Sequence, residues 1–164
     1  MRKIVIALVA CAGLLVAAPA ASAGNTDPDK VASKQCNADK KADRAAFEAV
    51  WGDHAMRDCK RAARGEAEET VQNASQECKA EEAADPAGFV ATYGTGKNGK
   101  NAHGKCVSSK VGEAVAEEAA EFQNAAQECR AERGADPAGF TATYGTNGKK
   151  KNAFGKCVSQ KAKA

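Results

Sequence analysis

Residues 72–110 read QNASQECKAEEAADPAGFVATYGTGKNGKNAHGKCVSSK, and residues 123–161 read QNAAQECRAERGADPAGFTATYGTNGKKKNAFGKCVSQK. The two stretches align without a gap at an offset of 51 residues, with 28 of 39 positions identical. Composition cannot produce that agreement, so the unit is a duplication. A more diverged copy lies upstream. Cys36-Asn-Ala-Asp39, Ala42-Asp43, Phe47, Ala49 and Trp51-Gly52 match Cys78-Lys-Ala-Glu81, Ala84-Asp85, Phe89, Ala91 and Tyr93-Gly94 at constant spacing. Its loop is five residues shorter, Gly52 preceding Cys59 by seven where Gly94 precedes Cys106 by twelve. The expected organisation is three copies, over about 31–65, 66–112 and 113–164.

Within each copy the punctuation is helical. Val115, Ala119, Phe122, Ala126 and Cys129 recur at alternating steps of four and three, one apolar stripe along Glu113–Arg130. Ala67, Val71, Ala74 and Cys78 keep the same rhythm in the preceding copy. Asp85-Pro86 and Asp136-Pro137 read as an N-cap followed by proline at the first helical position. They end a long helix and start a short one that carries Phe89 and Tyr93, or Phe140 and Tyr144, on one face. Asn101 and Asn152 are expected to cap the helix that follows each Gly/Lys/Asn loop. Gly65 and Gly112 each fall six residues after a cysteine and predict a kink or break. Sustained period-two alternation is absent, and the fold class is all-α.

Residues 1–23 read as a secretory signal peptide: Arg2 and Lys3, an apolar run from Ile4 to Ala18, then Ala21-Ser22-Ala23 as the cleavage site. Leu8-Val9-Ala10-Cys11 has the look of a lipoprotein cleavage box, but the apolar run continues past it. The apolar run is also short for a membrane span, which needs about 20 residues. Cleavage leaves 164 − 23 = 141 residues, 24–164, and removes Cys11, so that seven cysteines become an even six. It also removes two positive charges, so the formal charge falls from +3 to 22 − 21 = +1. Eight aromatic residues in a chain whose apolar content is largely Ala bury little area. Disulfides, available in an oxidising compartment, are expected to make up the difference.

Six cysteines allow 15 pairings. Cys59 and Cys78 at opposite ends of one helix are separated by 19 residues, roughly 28 Å at ~1.5 Å per residue. A bridge needs Cα atoms within about 7 Å. Cys106 and Cys129 are excluded in the same way unless the chain folds back at Gly112. Antiparallel helical hairpins leave Cys36–Cys59, Cys78–Cys106 and Cys129–Cys157. Metal binding is the rival use, but there is no CxxC pair and His54 and His103 occupy unlike repeat positions. No metal and no cofactor is expected.

Gly94 to Asn101 approaches the phosphate-cradling G-x4-G-K-[ST] loop but has Asn at its last position, and the next copy breaks the pattern. It reads as a solvated loop. Lys97, Lys100 and Lys105, then Lys149, Lys150, Lys151 and Lys156, recur at matching places, while acids concentrate on the long helices. Such a basic rim suits a polyanion, cell-wall polymer or nucleic acid, although turns collect Lys, Gly and Asn for solubility alone. The recurring aromatic pairs are expected to pack in the core and not to stack a ligand. His103 falls where the other copies have Met56 and Phe154, which marks a packing position. Asn73-Ala-Ser75 is a glycosylation sequon, relevant only in a eukaryote. No catalytic constellation is visible, and the chain is not expected to be an enzyme.

The string N-A-x-Q-E-C-x-A-E, D-P-A-G-F, Y-G-T and N-A-x-G-K-C-V-S resembles a motif of secreted Ala/Cys-rich repeat proteins from actinobacteria-like genomes. The resemblance covers the second and third copies well and the first loosely. It implies export and brings no assigned activity, so no functional residue follows from it. The expectation is therefore a secreted, disulfide-stapled helical repeat protein of the cell envelope, structural or an interaction module. Its partner would be an envelope protein or, through the Lys loops, a polyanion.

Overall fold

The computed structural model describes residues 26–95 and 98–163. The expected signal peptide and Lys97 lie outside the described residues. Helices α1 (Pro28–Ala42), α2 (Arg44–Trp51), α3 (Ala55–Ala84), α4 (Pro86–Tyr93), α5 (Ala102–Ala135), α6 (Pro137–Tyr144) and α7 (Ala153–Lys161) follow one another. A single 3-10 turn joins α2 to α3, and no strand occurs among the described residues. The fold is all-α.

Aspartate caps set the helix starts. Asp85 Oδ1 accepts from the Gly88 N–H at 3.0 Å, and Asp136 Oδ1 accepts from the Gly139 N–H at 2.9 Å. Asp43 does the same for Ala46 at the start of α2, at 2.9 Å. Proline follows the cap in α4 and α6, where its missing N–H has no partner to lose. Asn101 and Asn152 stand at cap positions but do not cap. Asn101 instead accepts from the Thr95 N–H at 3.0 Å and donates to Thr95 Oγ1 at 2.6 Å. Asn152 repeats both contacts with Thr146, at 3.2 and 2.7 Å. Each asparagine closes the loop behind it and leaves the helix start to the backbone.

The break expected at Gly65 and Gly112 is not there: α3 and α5 run through both glycines as uninterrupted helix. Each long helix closes one copy and opens the next. Burial of the neighbours, Ala67 at 5% exposed and Val111 at 1%, outweighs the ~1 kcal/mol that a helical glycine costs. A Cβ at either glycine would meet nothing within 4 Å. Gly65→Ala and Gly112→Ala are therefore expected to stabilise by about 0.5–1 kcal/mol each, read as a higher urea midpoint with unchanged slope.

The pairing is Cys36–Cys59, Cys78–Cys106 and Cys129–Cys157, each with Cα atoms 6.0 Å apart. Around the bridges the apolar side chains form two clusters. One joins the first and third copies: Phe47, Phe122, Phe140 and Val158 with Cys36–Cys59 and Cys129–Cys157. The other surrounds Cys78–Cys106 with Ala67, Phe89, Val107 and Val111, and takes Val31 and Ala32 from the start of α1. Helix α1 packs on both α3 and α5, and α2 packs on α7. The hairpins are thus not strung out in a row; the last closes on the first.

Candidate functional site

The Lys-rich loops are exposed. Lys100 precedes α5, Lys149, Lys150 and Lys151 lie between α6 and α7, and Lys156 sits on the first turns of α7, all solvent-facing. Lys105 is half-buried and engaged within the chain. Lys150 has a φ of 50°, a left-handed conformation, where the preceding copy has Gly99 at 58°. In the earlier loop Val90 lies over Gly99 where a Cβ would sit, and in the later one Thr141 replaces that valine.

The aromatic pairs are core elements. Phe89 is 4% and Phe140 5% exposed, and each tilts against its tyrosine with ring centroids 5.0 and 4.9 Å apart. The tyrosines add a polar function that the repeat pattern alone does not announce. Tyr93 donates to Glu81 at 3.2 Å, and Tyr144 donates to Glu132 at 2.9 Å. Each glutamate also holds a lysine of the returning helix. Lys110 Nζ lies 2.8 Å from Glu81 and 3.0 Å from Glu77, and Lys161 Nζ lies 2.7 Å from Glu132 and 2.9 Å from Glu128. The paired carboxylates push both ammonium groups upward from their ordinary pKa, and the lysines hold Glu81 and Glu132 below theirs. The recurrence of a lysine four residues after the second cysteine was the available signal. The position corresponding to His103 takes Phe154 in the third copy, where Arg130 and Arg133 stand 5.4 and 4.9 Å from its ring.

The first copy differs. Asp39 is only 9% exposed, and its one hydrogen bond to a side chain comes from Gln35 Nε2 at 2.8 Å. Asp39, Gln35, Trp51, Ala63, Glu66 and Glu118 surround a cavity of about 140 Å³, with Val50 and Phe122 as apolar walls. Burial raises the Asp39 pKa to about 6, with Glu66 adding to the rise against the Gln35 hydrogen bond. Burial likewise raises Glu118 to about 7, reinforced by Glu66 and Asp39. Gln35 Oε1 and Trp51 Nε1 are buried without hydrogen-bond partners. None of these residues stood out in the sequence, because an Asp in a helix gives no sign of burial.

Both raised acids bind protons more readily in the folded chain than in the unfolded one. Their contribution is complete in mild acid and is lost as pH rises through about 6 and 7. Asp43, held low by its 2.6 Å bond with Arg130, works in the opposite direction and loses its contribution below about pH 4. The melting temperature is therefore expected to peak near pH 5 and to fall by about 5 °C at pH 8. That drop corresponds to about 2 kcal/mol once the partial exposure of Glu118 is allowed for. Asp39→Asn should flatten the fall; a profile that rises from pH 5 to 8 would contradict it.

No family model, curated protein or solved structure matches the chain. Among the described residues no helix is long and apolar enough to cross a membrane. None of their His, Cys, Asp and Glu side chains gather in threes fit to hold a metal ion.

Proposed function

We propose that the chain is an exported helical scaffold of the cell envelope, braced by disulfides, that works by binding and not by catalysis. The observation that carries this reading is that all six cysteines after residue 23 are consumed in three bridges, one across each hairpin. Such a framework persists in oxidising compartments and is rare where thiols are kept reduced. The sequence of residues 1–23 supports export independently. The ordered polar groups of the second and third copies, Lys110, Lys161, Tyr93 and Tyr144, are spent on holding helices together. The test is sedimentation of the oxidised chain 24–164 with washed envelopes. Saturable co-sedimentation that disappears for the reduced chain is the expected result, and none above a control protein defeats the reading.

A second reading is polyanion contact through the α6–α7 loop. What favours it is that Lys149, Lys150 and Lys151 are consecutive, exposed and carry no ion pair to another described residue. On an immobilised polyanion the chain would then be retained at low salt and released as salt rises. The triple substitution of these lysines by alanine would elute markedly earlier. Absence of retention at low salt rules this reading out.

A further inference from the structure

In the second and third copies a lysine ammonium sits between two carboxylates that stand one residue before and three after the first cysteine of the copy. These are Glu77 and Glu81 about Cys78 for Lys110, and Glu128 and Glu132 about Cys129 for Lys161. The lysine itself is four residues past the second cysteine. In the first copy those places hold Gln35 and Asp39 about Cys36, and Ala63, four past Cys59. Trp51 replaces the tyrosine. The acceptors have been kept and the ammonium has been lost.

The structure shows what that substitution leaves behind. Gln35 is 8% exposed, and its Nε2 is committed to Asp39 while its Oε1 has no partner. A buried, unpaired acceptor costs about 1–3 kcal/mol and calls for a donor. The cavity of about 140 Å³ lies among Gln35, Asp39, Trp51 and Ala63. An engineered apolar cavity of about 150 Å³ admits a molecule the size of benzene, so this one has room for a short alkyl chain. Glu66 from α3 and Glu118 from α5 add negative charge, and exposed Lys163 beyond α7 is the one cation among the lining residues. Three converging metal ligands are absent among the described residues, whereas donors on a single nitrogen suit the acceptors present.

We infer that this cavity is a receptor site for a small primary ammonium ion, whose N–H groups meet Gln35 Oε1 and the Asp39 carboxylate and whose alkyl stem lies along Ala63, Val50 and Phe122. The ligand occupies the place that the chain's own lysine fills in the other two copies. The site is separate from the Lys-rich loops and does not depend on the envelope or polyanion readings. Binding requires ionised Asp39 and Glu118 and is therefore favoured at pH 8 over pH 5, while an alkylammonium ion stays charged at both.

Trp51 is the only tryptophan of the chain and lines the cavity, so its fluorescence reports occupancy. The oxidised chain 24–164 is titrated at low ionic strength with propylammonium and with 1,4-diaminobutane. Tetramethylammonium, which lacks N–H donors, and 1-propanol, which lacks charge, are the controls. The expected result is a saturable change with the primary amines alone, at least tenfold weaker at pH 5. Asp39→Asn should weaken binding at least tenfold. Ala63→Lys should abolish binding and raise the melting temperature, because it restores the missing ammonium. Lys163→Ala should leave affinity unchanged or tighten it. Circular dichroism confirms the fold of each variant, and Asp39→Asn keeps the test decisive if Ala63→Lys does not fold. No saturable change up to about 50 mM amine, a range weaker than the millimolar affinities of poor ligands, would overturn the inference. So would an equal response to either control, or wild-type affinity in a folded Asp39→Asn or Ala63→Lys chain.

Discussion

Reduction of the three disulfides should unfold the protein at room temperature. Each bridge closes a separation of 23 or 28 residues, worth roughly 3.5 kcal/mol in the chain-entropy account, or about 10 kcal/mol together. A domain of this size has a net stability of about 5–15 kcal/mol. The apolar core cannot make up such a loss, since its large buried side chains are four phenylalanines and a few valines among many alanines. Circular dichroism at 222 nm with and without a phosphine reductant checks this. The helical signal should collapse on reduction, whereas replacing one pair, Cys78 and Cys106 by alanine, should lose about 3–4 kcal/mol and leave a folded chain. A reduced chain melting within a few degrees of the oxidised one would show that packing alone holds the helices.

Two glycines at matching places in the duplicated unit should respond in opposite directions to the same substitution. Gly155, in α7, lies against the backbone of α2, where an added Cβ would run into the carbonyl group of Ala49 and come within 3.1 Å of the Val50 Cα. Backbone atoms cannot swing aside as a side-chain tip can. Gly155→Ala must push α7 off α2 and is expected to cost about 2–4 kcal/mol. Gly104, in α5, has nothing within 4 Å of the same position. Gly104→Ala is expected to be neutral or to add about 0.5 kcal/mol through helix propensity, damped because the residue is in the first turn. Urea unfolding of the two variants side by side measures the contrast. Equal effects would mean that the α2–α7 contact relaxes freely.

What could be read in advance was whatever follows from local geometry. The pairing of Cys36 with Cys59, and of the other two pairs, followed because a straight helix holds Cys59 and Cys78 too far apart to join. The Asp-Pro starts of α4 and α6 followed because a cap needs only three residues of context. The break at Gly65 and Gly112 was misjudged because a glycine's local cost is small beside the burial of its neighbours. Asn101 and Asn152 were placed at the right helix starts with the wrong bond, since Thr95 and Thr146 compete for the same side chain. The joining of the first and third copies through Phe47 and Phe122 was beyond reach, as was the burial of Asp39. Both depend on which hairpin meets which, a choice made by long-range packing. The lysine clamps occupy a middle ground: Lys110 and Lys161 recur visibly, but their acids lie 29 to 33 residues away.

The placement of the bridges has a consequence for survival among extracellular proteases. Every junction between helices, at Asp43, at 52–54, at Asp85, at 94–101, at Asp136 and at 145–152, falls inside one of the three cystine rings. A cut in any of these turns, including the tryptic sites at Lys149, Lys150 and Lys151, leaves the two fragments covalently joined. The peptide bonds whose scission would part the molecule lie between 60 and 77 and between 107 and 128, inside α3 and α5. There the backbone is helical and poorly shaped for a protease cleft, which takes extended chain at exposed loops. Limited trypsin digestion should accordingly yield a nicked species of undiminished mass under non-reducing electrophoresis, and separate fragments only after reduction.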